Sequence, residues 1–185
     1  KESFLEKIKT INKQVKLIEK LVNEFSDFAR MPKPIFKEIN LYNVISRTLK
    51  LNELSEPKIK FSFSKRDSFK LMGDEEQLNR VFVNIIKNSI ESIHSKNKKS
   101  HDFKGKIDIE INQDSDYIYV EITDDGIGFD HVDKAKMLTP YFTTKKKGTG
   151  LGLSIVTKII NDHNSAITFN TISKGAKIKI TFPRI

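Results

Sequence analysis

Apolar residues recur along the first thirty positions at alternating steps of four and three: Phe4, Ile8, Ile11, Val15, Ile18, Val22, Phe25 and Ala29. This a/d heptad stripe predicts one long helix over residues 3–30 with an apolar partner along its length. At ~1.5 Å per residue the rod would be about 42 Å long, more than a small domain uses for internal packing. A helical bundle or coiled-coil dimer is therefore the expected setting, and an amphipathic helix lying on its own domain the alternative. Met31-Pro32-Lys33-Pro34 stops the helix, because proline lacks an amide and disfavours helix in the residue before it. A domain boundary is expected there, dividing the chain into 1–34 and 35–185.

Beyond the boundary, short stretches of period 2 alternate with stretches of period 3.6. Asn40 suits the cap of a helix running to about Ser55, with Leu41, Val44, Ile45, Thr48 and Leu49 on one face. Ile59, Phe61 and Phe63 alternate as a strand, and Asp74 caps a second helix from Glu75 to about Ser95. After a polar loop over 96–104, Ile107, Ile109 and Ile111 form a strand whose hairpin partner, across Asp114-Ser115-Asp116, carries Ile118, Val120 and Ile122. Residues 129–149 lack periodicity and read as a mobile loop. Gly150 to His163 reads as a helix. Ile167 and Phe169, then Ala176, Ile178, Ile180 and Phe182, make a last hairpin turning at Ser173-Lys174-Gly175. The predicted fold class is α+β: a two-layer α/β sandwich, one mixed sheet with helices on one face, preceded by the long N-terminal helix.

Composition narrows the setting. The chain has 185 residues, 37% of them hydrophobic, enough for one full core and an appendage. No apolar run approaches the roughly 18–20 residues that span a bilayer, and no signal peptide opens the sequence. With no cysteine there is neither a disulfide nor a thiolate zinc site, which fits a cytosolic setting. The net charge of +9 is spread along the whole chain, with runs only at Lys96–Lys99 and Lys145–Lys147, so a solvated lysine surface is expected rather than a nucleic-acid face.

Three segments carry candidate chemistry. On the 75–95 helix, Asn84 and Asn88 stand one turn apart at the border of the core, with Lys87 and Glu91 beside them. Amide oxygens are hard neutral ligands suited to Mg²⁺, and Lys87 could meet phosphate; two solvent-facing asparagines satisfy the same pattern. Asp124 ends a strand and runs into Gly126 and Gly128. A carboxylate there could accept the exocyclic amine of adenine, while an ordinary Asp-Gly turn uses the same letters. Gly148-Thr149-Gly150-Leu151-Gly152 opens a helix, the arrangement that offers backbone amides and a positive helix end to phosphate. It is neither a P-loop nor a dinucleotide fingerprint.

In this order and spacing, the segments resemble the N box (Asn84 to Asn88), first glycine box (Asp124 to Gly128), F box (Tyr141-Phe142-Thr143-Thr144-Lys145) and second glycine box (Gly148 to Gly152) of the sensor histidine kinases. Those kinases share an ATP-binding superfamily with gyrase, Hsp90 and MutL. The resemblance covers residues 35–185, with Ser173-Lys174-Gly175-Ala176 in place of the last glycine element. Residues 1–34 are similar to the second helix of the dimerisation and phosphotransfer hairpin, and residues 23–34 resemble nitrogen-regulation sensor kinases of the NtrY type.

The resemblance implies an ATP and Mg²⁺ site. Asn84, Lys87 and Asn88 would meet phosphates, with Asn88 and Asn84 on the metal. Asp124, Gly126 and Gly128 would receive adenine, and Thr144, Lys145, Gly148, Thr149, Gly150, Leu151 and Gly152 would close over the triphosphate. It implies a protein-histidine kinase that relays phosphate to a response-regulator receiver domain and forms a homodimer through the N-terminal helix. It also implies a cytoplasmic domain anchored to an inner membrane only through segments outside this sequence. Asn84 stands where the gyrase and Hsp90 branch has a glutamate that activates water, so phosphoryl transfer is favoured over an ATP-hydrolysing conformational switch. A third possibility is a dimerisation module with a degenerate nucleotide site, which the intact glycine elements oppose. None of His94, His101, His131 and His163 lies in a His-Glu-x-x-Asn-Pro context, so the phosphoacceptor is absent and autophosphorylation of this chain is not expected.

Overall fold

The computed structural model describes residues 2–63, 68–97, 102–129, 139, 141–143 and 148–185. Its elements run α1 (Glu2–Ala29), β1 (Lys37–Asn40), α2 (Leu41–Ser55), β2 (Ile59–Phe63), β3 (Lys70–Gly73), α3 (Glu75–Lys96), β4 (Gly105–Gln113), β5 (Tyr117–Asp124), α4 (Gly152–Asp162), β6 (Ala166–Ile172) and β7 (Gly175–Pro183). Five strands form one mixed sheet in the order β2-β4-β5-β7-β6. β2 and β4 are parallel and joined by a crossover through β3 and α3, while the other neighbours are antiparallel.

Period-2 alternation gives the sheet one apolar face. Ile107, Ile109 and Ile111 of β4, Ile118, Val120 and Ile122 of β5, and Ile178, Ile180 and Phe182 of β7 are all buried. Leu41, Val44, Ile45 and Leu49 of α2, Leu78, Phe82, Ile85 and Ile93 of α3, and Ile155, Val156, Ile159 and Ile160 of α4 complete that core. The opposite face is polar, with Glu121 ion-paired to Lys177 at 2.5 Å. This is the expected two-layer sandwich, behind the expected N-terminal helix.

The caps read from sequence are formed. Asn40 Oδ1 accepts from the Tyr42 amide at 3.1 Å, and Asp74 Oδ1 accepts from the amides of Glu76 and Gln77 at 3.1 Å each. Two short strands went unread: β1 and β3 pair antiparallel as a separate two-stranded sheet, with Ile39 opposite Leu71. The helix expected at Gly150 begins two residues later, and most of the loop expected over 129–149 lies outside the described residues.

α1 shows two faces. The heptad stripe from Phe4 to Phe25 is exposed, including Ile11 and Val22, whereas Leu17, Leu21, Glu24, Phe28 and Met31 are half-buried. This second stripe turns the end of α1 toward the sandwich, where Phe28 and Met31 pack against the core. The junction is fastened by polar contacts. The Ile35 amide donates to Asp74 Oδ2 at 2.9 Å, and Gln77 Nε2 donates to the Pro32 carbonyl at 3.0 Å. The His163 ring lies 5.2 Å from that of Phe36 and accepts the Asp74 amide on Nε2 at 3.0 Å.

Candidate functional site

Asp124 is the last residue of β5, and its parity is that of Ile118, Val120 and Ile122. The alternation that builds the core therefore turns a carboxylate toward α3 at the strand's end, where it is only 4% exposed. A buried carboxylate needs donors, and the surrounding elements supply them. The Ser89 hydroxyl donates to Oδ2 at 2.9 Å, and the Gly126 amide donates to Oδ1 at 2.9 Å. Burial pushes the Asp124 carboxyl above the ordinary carboxylate range, against the downward pull of the Gly126 amide, the Ser89 hydroxyl and the Ala176 amide.

The turn after Asp124 is held at several points. The Ile127 amide donates to Ser92 Oγ at 3.0 Å, and the Lys96 ammonium bonds the Asp125 carbonyl. Asp125 Oδ1 accepts the Lys106 amide at 2.9 Å. Gly126 fits where no side chain could: a Cβ would lie 2.1 Å from Ser92 Oγ and 2.8 Å from Asp124 Oδ1. Gly175 of the last hairpin closes the other side, where a Cβ would lie 1.8 Å from the Asp124 carbonyl oxygen.

The glycine-rich segment reaches the same helix. Gly152 opens α4 against α3, so that a Cβ there would meet Asn84 Oδ1 at 3.1 Å. Asn84 Nδ2 donates back to the Arg80 carbonyl at 2.9 Å, which turns its oxygen outward toward α4. Asn88 is half-buried on the next turn and Lys87 is exposed. The cap position of α4, Leu151, offers no side-chain hydrogen bond, and its own side chain is fully buried. Only backbone remains there for a ligand, together with the positive end of the helix dipole. Gly150 has φ +73°, and a Cβ on it would strike the Tyr141 backbone at 2.4 Å. The Tyr141 amide donates to the Gly150 carbonyl at 3.1 Å, tying residue 141 to the loop. Thr144 and Lys145 lie outside the described residues.

The end of α1 also meets this loop. Thr149 is buried and its hydroxyl donates to Glu24 Oε2, while the Phe25 and Tyr141 rings lie 6.3 Å apart. The sequence offered no sign of these contacts. Ser89, Ser92 and Gly175 carry no ligand role in the sequence pattern, and Glu24 lies between stripe residues. The one available signal was chemical: Ser89 is a polar residue at a core position of an otherwise apolar arc.

Asn84 and Asn88 thus share the α3 face that meets α4, and Asp124 with Gly126 sits a turn farther along the same helix, against Ser89 and Ser92. Gly126 stands beside a buried acceptor, the Asp124 carboxylate. Neutral amide oxygens fit Mg²⁺ shared with phosphate rather than a cation caged by protein. Among the described residues no group of three or more His, Asp or Glu side chains could hold a metal ion. His94 is exposed and paired to Glu56 at 2.8 Å, His163 is engaged at the junction, and His101 and His131 lie outside the described residues.

Residues 73–185 match the family described as histidine kinase-, DNA gyrase B-, and HSP90-like ATPase. The chain is 33% identical over 183 residues to nitrogen regulation protein NtrY of Azorhizobium caulinodans, which covers 98% of this chain but only 24% of that protein. The catalytic domain of histidine kinase ThkA superposes with a TM-score of 0.70 at 28% identity, covering 81% of this chain and 96% of that one. Histidine kinase ThkA in complex with response regulator protein TrrA gives a TM-score of 0.75 at 22% identity, covering 96% of this chain and 50% of that one, a likeness of fold. Among the described residues no helix is long and apolar enough to cross a membrane.

Proposed function

This chain belongs to the family of histidine kinase-, DNA gyrase B-, and HSP90-like ATPases, and from that premise we propose that it is the ATP-binding portion of a sensor protein-histidine kinase. The observation that carries the reading is Asp124, a buried carboxylate at a strand end beside a glycine cradle. Its remaining lone pairs match the exocyclic amine of adenine, and Gly126 and Gly128 let the ring approach. Asn88 and Asn84 would hold Mg²⁺ with the phosphates, and Lys87 would meet phosphate as a point charge. Gly148, Thr149, Gly150, Leu151 and Gly152 would offer backbone amides to the triphosphate, with Thr144 and Lys145 nearby in sequence. The metal would supply charge neutralisation on the phosphate oxygens; the chain's own part is positioning and electrostatic stabilisation.

In the whole protein the γ-phosphoryl group would pass from ATP to a histidine nitrogen that this sequence lacks, and then to an aspartate of a response regulator. The complex of ThkA with a response regulator protein supports that partner. A homodimer through the exposed α1 stripe, the boundary near residue 34, and a cytoplasmic position on a membrane-anchored sensor belong to the same proposal. Titration calorimetry with a non-hydrolysable ATP analogue tests the core of it: Mg²⁺-dependent binding is the expected result, and none at millimolar nucleotide would end the reading. The alternative, an ATP-hydrolysing conformational switch, would show as sustained phosphate release. Asn84 speaks against it, since a neutral amide cannot take a proton from water.

A further inference from the structure

Two polar side chains occupy core positions of their own elements and meet each other there. Ser89 falls in the buried arc of α3 between Ile85 and Ile93, and Asp124 falls in the buried parity of β5 after Ile122. Both are nearly inaccessible, at 2% and 4% exposure, and the hydroxyl-to-carboxylate bond at 2.9 Å joins them. Alanine at position 89 would pack as well in such an arc, so the hydroxyl calls for a reason of its own.

The turn does not need Ser89 for its shape. Ser92 holds the Ile127 amide, Lys96 the Asp125 carbonyl, and β4 and β7 flank Asp124 on either side. What Ser89 alone touches is the carboxyl group. We propose that Ser89 is a positioning residue of the purine subsite: its hydroxyl hydrogen keeps the Asp124 carboxylate in its proton-accepting form, and so sets a preference for a 6-amino over a 6-oxo purine. This rests on the ATP reading above. An ionised carboxylate accepts the amine of adenine and repels the carbonyl oxygen of hypoxanthine or guanine. A protonated carboxyl would instead donate its hydrogen to that oxygen, so losing the charge erases the discrimination.

The surroundings leave this task to few groups. Asp125, next in the chain, pushes the Asp124 carboxyl further up, as burial already does. Three lysines of the packed elements are engaged elsewhere: Lys96 of α3 with the Asp125 carbonyl, Lys106 of β4 with Asp108 at 2.7 Å, and Lys177 of β7 with Glu121 at 2.5 Å. The compensation at the carboxylate itself comes from the Ser89 hydroxyl with the amides of Gly126 and Ala176. Only the hydroxyl can be removed by substituting a side chain.

The test compares the wild-type chain with Ser89→Ala and Ser89→Thr, binding Mg²⁺ with ATP or with inosine triphosphate between about pH 8 and about pH 6. The wild type is expected to prefer ATP by a ratio that holds across the window. In Ser89→Ala the ratio should fall toward acid, by up to about tenfold for each unit of pKa displacement. Ser89→Thr, which retains the hydroxyl, should follow the wild type. Carbon-13 titration of the Asp124 carboxyl in the nucleotide-free proteins supplies an independent reading, and its midpoint should rise in Ser89→Ala. An unchanged midpoint, or a preference lost equally at every pH, would overturn the proposal and leave ATP binding intact. A wild-type chain that binds neither nucleotide would instead sink the ATP reading, and this inference with it.

Discussion

Asp124 concentrates the residue-scale argument, because a single carboxylate is asked to select the base. Replacing it by alanine removes the acceptor and opens a void beside the Ser89 hydroxyl, so adenine-nucleotide binding should fall below detection by calorimetry; wild-type affinity would refute the assignment. Asn88→Ala should leave some nucleotide binding and remove its dependence on Mg²⁺, read by titrating the metal at fixed nucleotide. The two halves of the subsite differed in legibility. Asp124 could be read from sequence because period-2 alternation runs without interruption from Ile118 into an Asp-Gly turn. Its partner could not, because 35 residues separate Ser89 from Asp124 and no local pattern says which turn of a helix will cross which strand end. The carry-over from a known family brought Asn84, Asn88 and the glycines, yet it was silent on Ser92, which holds the turn to α3, and on Ser89, which meets the carboxylate.

Elements were legible wherever a period ran long enough to declare itself. α1, α3 and the β4–β5 hairpin each offered three or more repeats. β1 and β3 have four residues each, β1 burying only Ile39 and β3 only alternate residues, too short a run to rise above chance. Asp74 shows what a cap does beyond its own helix. Burial pushes its carboxyl up, but the amides of Ile35, Gln77 and Glu76, with His163 close by, outweigh that and hold it below the ordinary range. A depressed value means the charged form favours the fold: the stabilisation is present above the unfolded pKa and disappears as pH falls through the folded one. Asp74→Ala should therefore cost about 1 kcal/mol near neutrality by loss of the cap. Its unfolding midpoint should approach that of the wild type below about pH 4, as urea denaturation across pH would show.

At the scale of the whole molecule, α1 faces two ways. Its outer stripe leaves Ile11 60% and Val22 59% exposed along the rod, with Phe25 at its end against Tyr141. Ile11→Lys or Val22→Lys should reduce self-association in sedimentation equilibrium while leaving the sandwich folded by circular dichroism. Unchanged association would remove the case for pairing through that stripe. The inner stripe escaped the sequence reading because Leu17, Leu21, Phe28 and Met31 recur at steps of four, seven and three, the same heptad spacing as the outer stripe.

The bond from Glu24 to Thr149 places a carboxylate of the long helix on the very loop that would receive a triphosphate. Like charges drawn to one small region work against each other, and thermodynamic reciprocity then fixes the exchange rate. By whatever factor nucleotide loosens the grip of that helix, unseating the helix must tighten nucleotide. A twist delivered upstream would therefore be felt as an affinity, and a full loop as a freed lever.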